Sequence, residues 1–351
     1  MKTRSILIAS AACILAAACT KVSDTTVING SFEANAPDSL EIFVPDNFHL
    51  TVHVVDGKFS AEVPANLVEL SQIASLGGLN TRFISDGTPL TFTFDGRMQP
   101  SSITSKYPKI SLQAKKAEYE DALSELPVKY NKLLEELGEE KLDSLYDAYD
   151  AEEKAINGSV FDANKDNFLG AASLARMQFS YTVEKLDSLL NVLDPKLADN
   201  SIVEKMKKSV EAKRATQEGK MFTDFEANGV KFSSFIGTGK YMLVDFWASW
   251  CGPCKGEIPN IKNVYEKYAG SDFDVLSVAV WDKPQATIDT AKAYNIKWNQ
   301  IIDAQSVPTD IYGIEGIPHI ILFGPDGTIL KRELRGEAIE EEIAKYVQAK
   351  K

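Results

Sequence analysis

The chain has 351 residues, a formal net charge of −12 and four cysteines. This acidic balance argues against a nucleic-acid-binding protein and against electrostatic docking on anionic lipid. Four cysteines are too few for a disulfide-stapled scaffold, and the length suggests two or three domains.

Residues 1–18 predict a lipoprotein signal peptide. A basic start precedes an apolar run over residues 6–18, which is too short to span a membrane. Small residues followed directly by Cys19 are typical of the site where a bacterial lipoprotein is cut and acylated. Cleavage before Cys13 is a weaker alternative, and a plain secreted protein is another. We therefore expect a lipid on Cys19 to anchor the mature protein to a membrane.

Residues 19–25 predict a short tether, and residues 26–110 predict a small all-β domain. Apolar and polar residues alternate in short runs, for example over residues 50–55 and 90–94. Asp-Gly pairs, which favour hairpin turns, occur at residues 56–57, 86–87 and 95–96. We expect a mostly antiparallel sandwich or barrel.

Residues 111–217 predict a helical segment. Apolar residues recur at steps of three and four from Leu126 to Tyr149, among many Glu and Lys residues. The pattern continues over residues 168–193 and, after Asp194-Pro195, over residues 202–215. We expect about four helices whose charged faces are solvated.

Residues 218–351 alternate between strand and helix patterns, which predicts an α/β domain with a mixed sheet. The predicted strands are residues 241–247, 274–281, 320–323 and 328–334. The predicted helices are residues 255–268, 284–294 and 337–347.

Cys251 and Cys254 lie at the first strand-to-helix junction of this region. A Cys-x-x-Cys at such a junction predicts a dithiol that cycles to a disulfide. The first thiol is placed at a helix N-terminus, where free N–H groups and the helix dipole favour the thiolate that attacks disulfides. A purely structural disulfide would close a very small loop, and a zinc site lacks a second Cys or His pair. The spacing therefore predicts a redox centre without a metal.

The stretch from Asp245 to Lys255, followed by Pro259 and by Gly316-Ile317-Pro318, resembles thioredoxin. The longer context resembles extracytoplasmic thiol-disulfide oxidoreductases of the TlpA/ResA type over residues 219–351. This resemblance implies a thioredoxin fold that acts on protein dithiols or disulfides, with no cofactor. The upstream segments are similar to those of Gram-negative lipoproteins of this kind and carry no assigned chemistry.

The resemblance also implies roles for single residues. Cys251 is expected to attack the substrate and Cys254 to resolve the mixed disulfide. Pro318 is expected to be cis, so that the Ile317 backbone pairs with an extended substrate segment, and Trp250 is expected to line the same surface.

Two acids and one histidine complete the predicted site. Asp245 and Glu257 are expected near the thiols, where burial raises a carboxyl pKa toward the range useful for taking the proton from Cys254. The alternatives are a buried structural group for Asp245 and an exposed helix acid for Glu257. His319 is either a residue that tunes charge near the thiolate or an ordinary surface histidine.

The function that these patterns favour is a membrane-anchored periplasmic reductase of protein disulfides, recharged by a membrane electron donor. A role in cytochrome c maturation or in redox homeostasis is compatible with it. Gly252-Pro253 places no basic side chain between the cysteines, which favours reduction over oxidation.

Two alternatives remain. One is an AhpC/TSA-like thiol peroxidase, although Cys251 lacks a preceding Pro-x-x-x-Thr-x-x motif. The other is a ligand-binding lipoprotein with a vestigial thioredoxin domain.

Overall fold

The structure, a computed structural model, describes residues 23–46, 48–96 and 99–349. The chain divides into two compact units, the first ending at Ile156 and the second beginning at Asn157. The leader and Cys19, the predicted lipidation site, lie outside the described residues. Within the described ranges, no helix combines the length and the apolar character that a membrane crossing requires.

The first unit begins with eight strands in its described residues. They are β1 (Thr25–Phe32), β2 (Ser39–Val44), β3 (Phe48–His53), β4 (Lys58–Pro64), β5 (Ser71–Ala74), β6 (Asn80–Phe83), β7 (Leu90–Phe94) and β8 (Ser102–Ser105). Two four-stranded sheets result, with the orders β4-β1-β7-β8 and β3-β2-β5-β6. Alternate residues of both sheets, such as Ile28, Ile42 and Phe92, enter one apolar core. The expected all-β class of this region is confirmed.

Five α-helices follow in the described residues. They are α1 (Leu112–Leu137), α2 (Leu142–Ala163), α3 (Phe168–Met177), α4 (Val183–Leu190) and α5 (Ser201–Ala215). The sequence pattern predicts one helical stretch over residues 168–193, but the structure breaks it. Thr182 adopts an extended conformation, and its hydroxyl accepts a hydrogen bond of 3.3 Å from the Lys185 N–H. A new helix therefore starts with this cap.

Asp86 departs from the hairpin prediction made for the Asp-Gly pairs. Asp56-Gly57 does form a two-residue turn between β3 and β4, with φ angles of 52° and 70°. The Asp86 carboxylate instead is buried and accepts hydrogen bonds from the Ser111 hydroxyl at 2.8 Å and the Gln113 N–H at 3.1 Å. It caps the start of α1, because the first N–H groups of a helix have no partner within the helix.

The second unit contains a five-stranded mixed sheet with the order β13-β12-β11-β14-β15. Its strands and those of a preceding two-stranded hairpin are β9 (Glu226–Ala227), β10 (Val230–Lys231), β11 (Tyr241–Trp247), β12 (Phe273–Ala279), β13 (Asn299–Ile301), β14 (His319–Phe323) and β15 (Ile329–Lys331). Its further helices are α6 (Gly252–Tyr268), α7 (Pro284–Ala293), α8 (Val307–Tyr312) and α9 (Glu337–Ile343). β12 runs parallel to the central strand β11, and β14 runs antiparallel to it. The α/β class with a mixed sheet is confirmed.

Apolar side chains cover both faces of this sheet. Because side chains alternate along a strand, β11 sends Leu243 and Trp247 to one face and Val244 and Phe246 to the other. The first face also packs against α6 and includes both cysteines, and we call it the thiol face. The other face packs around Tyr312, so it is separated from the cysteines by the sheet itself.

Candidate active site

The two cysteines lie where β11 gives way to α6, and they are joined as a disulfide. Cys251 is the N-cap of α6, with its sulfur 3.1 Å from the Cys254 N–H. Cys254 lies in the first turn and is 1% exposed, whereas Cys251 is 4% exposed. Gly252 and Pro253 between them face solvent. The predicted redox pair therefore occupies a helix N-terminus, where a thiolate is stabilised once the pair is reduced.

A backbone edge lies beside Cys251. The peptide bond between Ile317 and Pro318 is cis, as the resemblance to thioredoxin implies. The Ile317 carbonyl oxygen lies 3.8 Å from the Cys251 sulfur. Ile317 is half-buried and Gly316 before it is exposed. The chain at this point is therefore accessible next to the sulfur that is expected to attack.

Trp250 is 59% exposed, and its indole N–H donates a hydrogen bond of 2.9 Å to the Trp281 carbonyl. Asp282, which follows Trp281 in the chain, accepts hydrogen bonds from the Ser249 N–H at 2.7 Å and from the Ser249 hydroxyl at 2.9 Å. Both residues that precede Cys251 are thus held by the loop that follows β12. Sequence reasoning missed Asp282, although an acid directly after a strand that neighbours the Cys-x-x-Cys strand is a usable signal.

Asp282 is ionised at neutral pH. Burial alone would raise its pKa, but hydrogen bonds from Ser249, Thr287 and the Lys283 N–H hold the pKa of this carboxyl below its usual range. A charged carboxylate that accepts several donors is a rigid anchor for the segment before Cys251.

Asp245 is buried on the thiol face, 2% exposed. Its Oδ2 lies 3.5 Å from the Ser277 hydroxyl, which accepts a bond of 2.8 Å from the indole of Trp298. Its Oδ1 has no hydrogen-bond partner among the described residues. Burial, opposed by the charge of Arg335 and aided by that of Glu257, raises the pKa of Asp245 to about 7. A carboxyl with this pKa can accept or release a proton near neutral pH.

Glu257 lies one turn beyond Cys254 on α6 and is half-buried. Its Oε2 accepts hydrogen bonds from the Asn260 side chain at 2.9 Å and from the Gly336 N–H at 3.1 Å. Since its charge contributes to the raised pKa of Asp245, the two acids are electrostatically coupled. The structure thus places the two predicted acids on β11 and α6, the two elements that flank the cysteines.

Arg335 is a second residue that sequence reasoning missed. Its guanidinium donates to the Leu334 carbonyl at 2.8 Å and also to the Pro318 carbonyl. Its charge acts to lower the pKa of Asp245. It lies far along the chain from the cysteines, in a segment without a recognisable motif, so only the fold identifies it.

His319 is the predicted site residue that the structure does not bring to the thiols. It pairs with Phe246 across β14 and β11, and the two rings are 6.4 Å apart on the face opposite the cysteines. Its Nε2 accepts a hydrogen bond of 3.3 Å from Arg332. Burial and the neighbouring Arg332, Arg335 and Lys213 charges lower its pKa to about 3. His319 is therefore neutral at physiological pH and carries no charge toward the thiol face.

Comparison with known proteins points to the same region of the chain. Residues 211–332 match the model of the AhpC/TSA family. The thiol-disulfide oxidoreductase ResA of Bacillus thuringiensis subsp. konkukian is 27% identical over 126 residues, 36% of this chain and 71% of that protein. ResA of Bacillus subtilis is 26% identical over 138 residues, 38% of this chain and 76% of that protein.

Solved structures are also similar to this part of the chain. The thioredoxin domain of a thiol-disulfide oxidoreductase from Bacteroides vulgatus is 28% identical, with a TM-score of 0.34, covering 38% of this chain and 99% of that one. A thiol:disulfide interchange protein from Bacteroides sp. is 27% identical, with a TM-score of 0.34, covering 38% of this chain and 91% of that one.

Proposed function

The chain carries a thioredoxin-like domain of the TlpA/ResA type and is a thiol-disulfide oxidoreductase, and from this premise we propose that it reduces disulfides in protein substrates. The observation that carries the proposal is the position of Cys251. Its sulfur caps α6 and lies 3.8 Å from the carbonyl of Ile317, on an accessible backbone edge. An extended substrate segment can pair with such an edge without a sequence requirement.

The exchange takes two steps. The Cys251 thiolate attacks one sulfur of the substrate disulfide, a mixed disulfide forms, and the other substrate sulfur leaves as a thiolate. Cys254 then gives its proton to the Asp245 carboxylate and attacks the Cys251 sulfur. The mixed disulfide breaks, the second substrate thiolate leaves, and Cys251 and Cys254 end as the disulfide seen in the structure. The substrate gains two electrons, and the enzyme loses two.

We propose further that the reaction takes place in the periplasm of a Gram-negative bacterium. The support is the leader sequence that directly precedes Cys19, which predicts a lipid anchor. An oxidising compartment requires that the Cys251–Cys254 disulfide be reduced again after each turnover, and a membrane-bound dithiol donor is the proposed source of electrons. Protein thiols that must stay reduced, as in cytochrome c maturation or redox homeostasis, are the proposed beneficiaries.

Trapping of the mixed disulfide tests the proposed roles. In cells, Cys254→Ser should accumulate intermolecular disulfides through Cys251, because the resolving thiol is missing. Cys251→Ser is the matched control and should trap nothing. If Cys251→Ser traps partners instead, the two roles are reversed.

A turnover assay separates the alternatives. The purified protein should reduce insulin disulfides with dithiothreitol as electron source and should show little turnover of hydrogen peroxide. Peroxide turnover without insulin reduction would identify a thiol peroxidase. Activity toward neither substrate would favour a ligand-binding lipoprotein.

A further inference from the structure

We propose that Arg335 is a positioning residue of the exchange reaction, which fixes the substrate-binding edge and supplies the counter-charge to the buried acid that serves Cys254. This inference rests on the proposed function, because the reaction that Arg335 assists is the disulfide exchange proposed above. Neither the Cys-x-x-Cys motif nor the resemblance to thioredoxin assigns a role to Arg335.

Arg335 and Gly336 connect two parts of the site. The guanidinium donates to the carbonyl of Pro318, the residue that follows the Ile317 edge. The next N–H along the chain, that of Gly336, donates to Glu257 at 3.1 Å, one turn beyond Cys254. A second guanidinium hydrogen bond, 2.8 Å to the Leu334 carbonyl, limits the rotation of the side chain. The loop before α9 therefore holds the substrate edge and the thiol helix together.

Among the described residues, Arg335 is the cation whose charge acts on the buried Asp245. Around Asp245, α6 contributes the negative Glu257, β12 contributes the neutral Ser277, and the loop before α9 contributes the positive Arg335. Asp245 Oδ1 is buried without a hydrogen-bond partner among the described residues, so its ionised form depends on nearby charge. The positive charge of Arg335 favours the ionised form of Asp245, and the negative charge of Glu257 disfavours that form.

This arrangement links substrate binding to proton transfer. Before Cys254 can attack, it must lose its proton, and the acceptor must already be a carboxylate. Arg335 increases the carboxylate fraction of Asp245 near neutral pH while the same guanidinium holds the Pro318 carbonyl. Removal of its charge should therefore raise the pKa of Asp245 and move the resolving step to higher pH.

The test compares Arg335→Met and Arg335→Gln with Arg335→Lys and with a control, Lys331→Met, which removes a positive charge from β15. The rate at which Cys254 resolves a preformed mixed disulfide is followed by stopped flow between pH 5 and pH 9. We expect the pH midpoint to rise by about one unit in the Met and Gln variants, because loss of a nearby opposite charge shifts a carboxyl pKa by about that amount or more. The Lys variant should recover part of the shift, and Lys331→Met should show none.

A second readout does not require activity. The carboxyl carbon of Asp245 is titrated by NMR in the reduced protein and assigned with Asp245→Asn. Arg335→Met should raise the titration midpoint. An unchanged midpoint in both measurements, with only the melting temperature lowered, would mean that Arg335 is merely structural. Absence of any disulfide reduction by the parent protein would instead defeat the proposed function, and the NMR titration would still decide the role of Arg335.

Discussion

Asp245 should make the free energy of unfolding fall as pH rises. An ordinary paired carboxylate, whose pKa is lowered on folding, has the opposite effect. Its pKa is raised from 3.8 to about 7 in the folded protein, chiefly by burial. Between these values the folded state holds a proton that the unfolded state has lost, so stability falls as pH rises through this range. The stabilising proton is fully present below about pH 4 and is lost above about pH 7.

Asp245→Asn should therefore stabilise the oxidised protein at pH 8 by about 2–4 kcal/mol, since a pKa unit corresponds to about 1.4 kcal/mol. The amide cannot ionise, so the penalty of a buried charge disappears. The gain should be small at pH 4, where Asp245 is protonated in the folded state and about half protonated in the unfolded state. Urea unfolding of the parent and variant at both pH values measures this, and a gain of equal size at both would contradict the assigned pKa.

The same residue shows the conflict between stability and activity. A buried carboxylate with an unpartnered oxygen destabilises the folded state, yet it gives the site a proton acceptor near neutral pH. We expect Asp245→Asn to slow the resolving step more than the initial attack, because Cys251 derives its stabilisation mainly from the N-terminus of α6.

The N-terminus of helix α1 is capped by the side chain of Asp86, which belongs to the loop between β6 and β7. Asp86→Ala should destabilise the first unit by about 1–3 kcal/mol, because the Ser111 hydroxyl and the Gln113 N–H lose a buried acceptor. Amide hydrogen exchange at the first turn of α1 should become faster. Asp38→Ala, which removes an exposed acid of the same unit, is the control and should leave both measurements unchanged. Equal effects of the two substitutions would argue against the cap.

The elements with strong periodic patterns were predictable from the sequence. β11 spans Tyr241–Trp247, as the apolar run predicts, whereas α6 begins at Gly252 instead of Lys255 because Cys251 serves as its cap. β13 was missed since three residues, Asn299–Ile301, show too little alternation. The Thr182 break was missed because the apolar period continues across it.

Only those parts of the site whose residues lie close together in the sequence were predictable. The dithiol and the cis-proline edge have motifs, but Arg335 and Asp282 reach them through hydrogen bonds from distant loops. His319 follows Pro318 directly, yet the alternation of side chains along β14 places it on the face away from the cysteines. Proximity in sequence therefore did not predict proximity in space.

The sequence places a domain boundary at residue 217, while the second compact unit begins at Asn157. The contacts near residue 217 involve half-buried charged side chains. Arg332 donates to the Thr216 carbonyl at 2.6 Å and to its hydroxyl at 2.7 Å. Lys213 pairs with Glu315 at 2.6 Å. A fragment that starts at residue 218 would lose both sets of contacts.

We expect a fragment of residues 157–351 to be more stable than one of residues 218–351 by at least about 1–2 kcal/mol, because the half-buried Arg332 would lose acceptors in the shorter one. Thermal unfolding of the two fragments measures the difference. Thr216→Ala in the longer fragment removes only the hydroxyl and should have a smaller effect. Identical melting temperatures for the two fragments would place the functional boundary at residue 218.

All four tryptophans, at positions 247, 250, 281 and 298, lie in the second unit and close to the thiols in sequence or structure. Intrinsic fluorescence excited at the red edge of indole absorption therefore reports on the second unit alone and not on the residues before Asn157. The indole of Trp298 is joined through Ser277 to Asp245, so its emission is placed to respond to the protonation of that acid. Without any attached dye, the protein thus carries an optical probe that distinguishes events at the redox centre from events in the β-sandwich.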